Sequence, residues 1–119
     1  MVEPIADLPA GTFGFRAHGE LTRADYDERL IPPLREALAA GAVRLLVVVE
    51  EVERLDLGRV LGEARSDFSL GRALERTALV TDVGWIRAAS HLCGRLLPGE
   101  LRLFHRAEED QARTWVAAP

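Results

Sequence analysis

A short apolar run near the middle of the chain, residues 43–49 (Val-Arg-Leu-Leu-Val-Val-Val), constrains the fold more than any other feature. Six of its seven residues are apolar, and four of them are valines. The run is too short for a typical helix and lacks the alternation of a half-exposed strand. It is typical of a strand covered on both faces, as in a parallel sheet with helices above and below it. A ligand crevice in such a sheet opens at the carboxyl ends of the strands. We therefore expect a crevice near Glu50 and Glu51, where the chain is predicted to leave the core.

Strand and helix patterns alternate on both sides of this run. Two short strand patterns precede it and predict an antiparallel hairpin. The first of them is expected at the sheet edge, because Pro4 cannot donate to a ladder. We predict the order β-β-α-β-α-β-α-β-α, with strands over residues 2–8, 12–18, 43–49, 76–81 and 101–104, and helices over 22–40, 57–64, 85–97 and 107–117. This alternation predicts a single α/β domain, residues 1–119, with a mostly parallel five-stranded sheet and helices packed on it.

The first predicted helix carries its own start and stop signals. Thr22 is a candidate N-cap, and Asp25, three residues further on, occupies the reciprocal position of a capping box. Pro32-Pro33 removes two backbone donors, so we expect a kink or a restart here, with Pro33 opening the second half. Gly41 is expected to end the helix as its C-terminal cap.

The composition excludes several classes of chemistry. The net charge is −4, which disfavours nucleic-acid binding. All 15 basic residues are arginine, so the chain has neither a Schiff-base lysine nor a phosphate-loop lysine. Cys93 is the single cysteine, which fits a reducing cytosol, and we predict a cytoplasmic protein. His18, His91 and His105 lie in three predicted elements without metal-ligand spacing, so we predict no metal site and no cofactor.

Polar and aromatic residues follow two of the predicted strands at their carboxyl ends. Asp82 lies between a strand and a helix, where it either binds a ligand, acts as an acid or caps the helix. Trp85 begins that helix and either joins the core or lines an apolar pocket. Glu50 and Glu51 either do acid–base work or form a solvated exit from the central strand.

Several short motifs follow one another along the chain. They are Gly19-Glu20-Leu21-Thr22 before Asp25-Tyr26, Arg44-Leu45-Leu46-Val47, residues 76–82 (Arg-Thr-Ala-Leu-Val-Thr-Asp) followed by Trp85, and residues 100–104 (Glu-Leu-Arg-Leu-Phe) before Ala112 and Trp115. With the element order, they resemble the STAS fold of anti-sigma-factor antagonists. The closer resemblance is to the SpoIIAA-like family, small bacterial proteins related to CRAL-TRIO lipid-binding domains. It implies ligand binding, membrane association and a homodimer, without enzyme activity. The serine of phosphoswitch members is replaced here by Leu57-Gly58, so the resemblance does not extend to a phosphorylation switch.

We therefore predict a non-enzymatic binding module that holds a small apolar or lipid-like ligand between two helices and associates peripherally with a membrane. Asp82 or Arg59 is expected to orient the polar end of the ligand, and the apolar walls are predicted from Leu57, Val60, Leu61, Phe68, Trp85, Ile86 and Ala89. Residues 52–74 have the weakest periodicity and are expected to move, exposing apolar stripes to a membrane surface. The alternative is a protein-interaction module that regulates a partner or dimerises. A third hypothesis is an enzyme that uses Asp82 with Glu50 or Glu51.

Overall fold

Five strands form one sheet in which every strand lies beside its neighbour in sequence. The computed structural model describes residues 1–19, 22, 24–41, 44–52, 75–93 and 99–118. Its elements are β1 (Val2–Pro4), β2 (Thr12–Gly19), a π-helical segment (Asp25–Leu30), α1 (Ile31–Ala39), β3 (Arg44–Val52), β4 (Arg76–Thr81), α2 (Gly84–Cys93), β5 (Glu100–Phe104), a 3-10 turn (Arg106–Glu108) and α3 (Glu109–Ala117). The sheet order is β1-β2-β3-β4-β5, with β1 antiparallel to β2 and all other pairs parallel. The predicted α/β fold with its N-terminal hairpin is confirmed, while the helix predicted at 57–64 lies outside the described residues.

The strand ends differ from the prediction by more than one residue in two of the strands, β1 and β3. The edge strand β1 is only three residues long, although the Ile5 N–H, just beyond Pro4, still donates to the Gly14 carbonyl oxygen at 2.9 Å. The central strand β3 runs on to Val52, so Glu50 and Glu51 belong to the strand and do not mark its exit. The reason is a long-range one: β2 extends beside β3 as far as Gly19, which pairs with Val52 after a register shift.

The start of the first helix confirms the predicted capping box. The Thr22 backbone N–H donates to the Asp25 carboxylate at 3.0 Å, and the Asp25 N–H donates to the Thr22 hydroxyl at 3.2 Å. The helix begins with the wider π winding and changes to α winding at Ile31, so both residues of Pro32-Pro33 lie in the first turn of α1. The π segment ends at Leu30 and α1 begins at the next residue, so the prolines lie within one uninterrupted helix. The predicted disturbance at Pro32-Pro33 coincides with a change of winding, and the helix does not end and begin again there.

Each face of the sheet has its own core. Helices α1 and α2 cover one face, the α1–α2 face, where Ile31 and Ile86 pack with Phe15, Val49 and Leu79. Helix α3 covers the opposite face, the α3 face, whose buried members are Leu46, Val48, Ala78, Val80, Phe104, Ala112 and Val116. Consecutive strands that move in one direction across a parallel sheet place their connecting helices on one face, which leaves the other face for the last helix.

Gly14 in β2 is required by close packing on the α3 face. A Cβ at this position would lie 2.7 Å from Leu8 Cδ1 and 3.1 Å from the Leu46 carbonyl oxygen. We expect Gly14→Ala to lower the free energy of unfolding by about 1–3 kcal/mol, because the added methyl overpacks the sheet. Urea denaturation would measure the loss. The matched control is Gly84→Ala, where a Cβ meets nothing within 4 Å; a control that loses as much as Gly14→Ala would contradict the steric explanation.

Candidate functional site

The predicted pocket residues divide into two groups. Asp82, Trp85 and Ile86 are fully described, and Ala89 is described only as a position in α2. The other predicted wall lies outside the described residues, as does Arg59, and the placement of both stays a prediction. This wall consists of Leu57, Val60, Leu61 and Phe68. The described part of the candidate site therefore consists of the sheet and α2.

The two faces of the central strand differ in burial. Leu46 and Val48, which point to the α3 face, are both 0% exposed. Leu45 and Val47, which alternate with them, remain partly accessible although they lie at the centre of a five-stranded sheet. Because successive side chains of a strand point to opposite faces, the central strand is completely covered on the α3 face, and on the α1–α2 face the described residues leave it partly accessible.

The accessible apolar side chains on the α1–α2 face define a surface that we call the apolar floor. Its members are hydrophobic, only partly buried, and share two neighbouring rows of the register of β2 to β5: Phe13, Leu45, Val47, Leu101 and Leu103. Thr77 and Leu79 lie between them on β4, both 6% exposed. The floor occupies the amino-terminal and middle rows of the sheet.

The carboxyl-terminal row of the same face is closed. Ala17 and Val49 are 1% exposed, and Thr81 and Ile86 are 0% exposed. In the described part of the chain, the accessible apolar surface lies in rows further from the carboxyl ends, and Ile86, a residue of the predicted pocket wall, is buried in the core. Trp85, the preceding residue, is 47% exposed at the start of α2 and is not part of the core.

Asp82 pairs across the carboxyl ends of β4 and β5. Its Oδ1 atom lies 3.0 Å from His105 Nδ1 and accepts the Arg106 backbone N–H at 3.1 Å. The turn before α2 is held instead by Thr81, whose hydroxyl accepts the Val83 N–H. The Arg106 amide, followed by the His105 hydrogen bond, lowers the pKa of Asp82. A lowered pKa keeps this carboxylate ionised at neutral pH, whereas a general acid needs a raised one.

The pairing of Asp82 predicts a defined pH dependence of stability. A carboxylate whose pKa is lowered by folding stabilises the protein above its unfolded pKa of about 3.9, and this stabilisation is lost as pH falls through the lower folded value. We expect the melting temperature of Asp82→Asn to fall less steeply below about pH 4 than that of the wild-type protein. Between neutral pH and about pH 4, the melting temperatures of the two proteins should change with pH in nearly the same way. Carboxyl carbon NMR should show Asp82 titrating below 3.8, its unperturbed value; a midpoint at or above 3.8 would contradict the pairing.

Glu50 belongs to an ion-pair network on the α3 face. Arg16 of β2 lies 3.0 Å from Glu50 and 3.0 Å from Glu109, and Arg106 approaches Glu50 at 3.6 Å. Partial burial alone would lower the pKa of Arg16, but the two carboxylates outweigh it and raise that pKa. Arg113 extends the network with a 3.4 Å contact to Glu109. These contacts connect β2 and β3 with the start of α3. Glu50, which the sequence offered as a candidate for acid–base chemistry, therefore has a structural role here.

Two arginines that the sequence analysis did not single out hold the other end of α3. Arg44 donates to the carbonyl oxygens of Val116, at 3.0 Å, and of Ala118. Arg76 donates to the carbonyl oxygens of Trp115 at 2.8 Å and Ala118 at 3.0 Å. These carbonyls end α3, where the Trp115 carbonyl also accepts the Ala118 backbone N–H at 3.3 Å. The guanidinium groups supply the further donors and interact favourably with the helix dipole. No local sequence signal predicts these contacts, because they join residues about 40 to 70 positions apart in the chain.

Within the described residues, no group of three or more His, Cys, Asp or Glu side chains is arranged to hold a metal ion. No helix of this part of the chain has the length and apolar character needed to cross a membrane.

The sheet order, the N-terminal hairpin and the helices on both faces define a STAS-type α/β module. A model of the SpoIIAA-like family matches residues 12–117, so the chain belongs to the SpoIIAA-like family. Among solved structures, it is similar to an uncharacterized protein with a SpoIIAA-like fold from Shewanella loihica, with a TM-score of 0.70 and 22% sequence identity. The alignment covers 97% of this chain and 93% of that one, and it supports the fold. A comparison with curated proteins gives no match.

Proposed function

We propose that this domain is a non-enzymatic binding module that holds a small apolar or amphipathic ligand against the apolar floor. The observation that supports the proposal is the unequal burial of the central strand. Leu46 and Val48 are completely covered, whereas Leu45 and Val47 on the other face are not. An apolar surface left accessible in the middle of a sheet favours a ligand, since its burial contributes roughly 25 cal/mol per Å².

Trp85 supports a second element of the proposal, peripheral contact with a membrane. Its indole is 47% exposed, the most exposed of the large hydrophobic side chains described. Tryptophan combines an apolar body with a polar N–H, which suits the boundary between lipid headgroups and acyl chains. On this proposal Trp85 contacts the bilayer surface while the apolar floor holds the ligand.

The experiment that tests ligand binding is native mass spectrometry of the protein purified from bacterial cells, with denaturing extraction of any bound species. We expect a reproducible small molecule on the wild-type protein and its loss in Val47→Trp, because the indole fills the floor. Ala88→Trp is the matched control, since Ala88 lies on the exposed side of α2. A bound species retained by folded Val47→Trp, or no bound species on any of the three proteins, would contradict the proposal.

A protein-interaction module remains the second candidate, and one observation favours it. Among the described strands, β5 pairs only with β4, so its outer edge offers backbone donors and acceptors to another strand. The edge strand predicted at residues 2–8 contributes little, because β1 is three residues long. Sedimentation of the ligand-free protein tests this candidate: a stable homodimer that binds no small molecule would favour it over the ligand proposal.

A further inference from the structure

We infer that the ligand carries an uncharged hydrogen-bonding group, of the alcohol or carbonyl class, which binds the Thr77 hydroxyl. This inference rests on the proposed function and names the class of ligand that the apolar floor accepts. It follows from two observations, the distribution of charged residues between the faces of the sheet and the position of Thr77 within the floor.

The arginines of the described strands lie away from the apolar floor, and Glu51, which shares its face by alternation, lies beyond the closed carboxyl-terminal row. Arg16 binds Glu50 and Glu109, and Arg44 and Arg76 bind the carbonyls at the end of α3. Arg102 lies over the Trp115 ring, with its guanidinium carbon 5.3 Å from the ring centroid. All four arginines of the described strands therefore contact groups on the α3 side.

An ionic head group on this floor would lose its hydration without gaining a charged partner from the described strands. Such a transfer is far more costly than burying a neutral polar group that makes one hydrogen bond. The chemistry of the floor therefore selects against carboxylates, phosphates and ammonium groups, and it favours ligands whose polar group is neutral.

Thr77 supplies the matching polar group. It is 6% exposed and lies in one row across the sheet between Leu45 and Leu101, both members of the floor. The other buried polar residue on these strands, Thr81, already accepts the Val83 N–H and lies in the closed row. A threonine hydroxyl has one donor and two acceptor positions, so it can bind either an alcohol or a carbonyl oxygen.

The test compares three probes with the same eight-carbon chain: octan-1-ol, octanoate and octyltrimethylammonium. Methyl NMR of Leu45, Val47 and Thr77 reports both the affinity and the place of binding. We expect octan-1-ol to bind at least about tenfold more tightly than either ion, because each ion loses hydration on the apolar floor. Thr77→Val should reduce the affinity for octan-1-ol about fivefold, the effect of one net hydrogen bond.

Two further variants separate the hydroxyl from packing. Thr77→Ser keeps the hydroxyl and should retain the preference for the alcohol. Thr114→Val removes a hydroxyl from the exposed side of α3 and should leave every affinity unchanged.

Tighter binding of either ion, or unchanged alcohol affinity in Thr77→Val, would overturn the inference while leaving the binding module intact. Failure of all three probes to shift the floor methyls would instead contradict the proposed function. Shifts seen only with phosphatidylcholine vesicles would assign the face to a membrane.

Discussion

Replacing Arg44 and Arg76 together by alanine is expected to lower the free energy of unfolding by about 3–5 kcal/mol, since hydrogen bonds from charged donors contribute about 1.5–3 kcal/mol each when buried. The two guanidinium groups bind the carbonyl oxygens of Trp115, Val116 and Ala118. Their removal leaves the end of α3 with the Ala118 N–H, which bonds the Trp115 carbonyl, but without the guanidinium donors and without the positive partners of the helix dipole.

The loss should be large because α3 has little apolar burial of its own. Only Ala112 and Val116 are buried in this helix, and both have small side chains. Trp115 adds partly buried contacts with Phe104 and with the Arg76 guanidinium, 5.4 Å from its ring centroid. Detachment of α3 would expose the α3 face of the sheet, so the stability of the helix is coupled to that of the whole domain.

Guanidinium chloride denaturation of the double variant and of each single variant would measure this effect. Arg29→Ala is the control, because Arg29 is 54% exposed and only approaches Asp25 at 4.0 Å; an exposed pair of this kind contributes about 0–1 kcal/mol. A double variant as stable as the control would show that the carbonyl contacts do not hold α3. Hydrogen exchange should locate the earliest loss of protection in α3.

Replacing Leu46 by alanine is expected to cost about 3–5 kcal/mol of unfolding free energy, whereas Leu45→Ala should cost about 1–2 kcal/mol. Leu46 is 0% exposed on the α3 face, so its truncation leaves a cavity that its neighbours cannot fill. Leu45 is partly accessible on the apolar floor, so part of its surface is never removed from water.

This pair of variants also examines the basis of the proposed function. The two leucines are neighbours on one strand and have the same side chain, so backbone propensity and strand position are matched. Urea denaturation of ligand-free protein gives both losses under the same conditions. Equal losses would mean that the two faces are equally closed, and the apolar floor would then lose its main support. Saturating octan-1-ol should raise the stability of the wild-type protein more than that of Leu45→Ala.

The local features of the fold were predictable from the sequence. The run at residues 43–49 predicted the central buried strand, which the structure confirms as the third of five. Thr22 and Asp25 predicted the capping box, and the strand at residues 76–81 was predicted with its observed ends. Each of these features depends on residues close together in sequence, whose preferences act before any tertiary contact forms.

Features that depend on distant partners were not predictable in the same way. Asp82 was expected at a crevice or at the start of α2, but it pairs with His105 and Arg106 at the end of a neighbouring strand. Glu50 was expected to leave the core, but Arg16 holds it within β3. The partners of a charged side chain are set by strand order and register, which no local pattern specifies.

The sequence by itself determined which segments are strands and helices, because periodicity, proline positions and capping residues act locally. Only the tertiary structure decided which face of the sheet is open. Leu45 and Leu46 are the same residue type in the same strand, and nothing local distinguishes them. Their burial differs because the packing on the α3 face covers Leu46 completely, while on the other face the described packing leaves Leu45 and the rest of the apolar floor partly accessible.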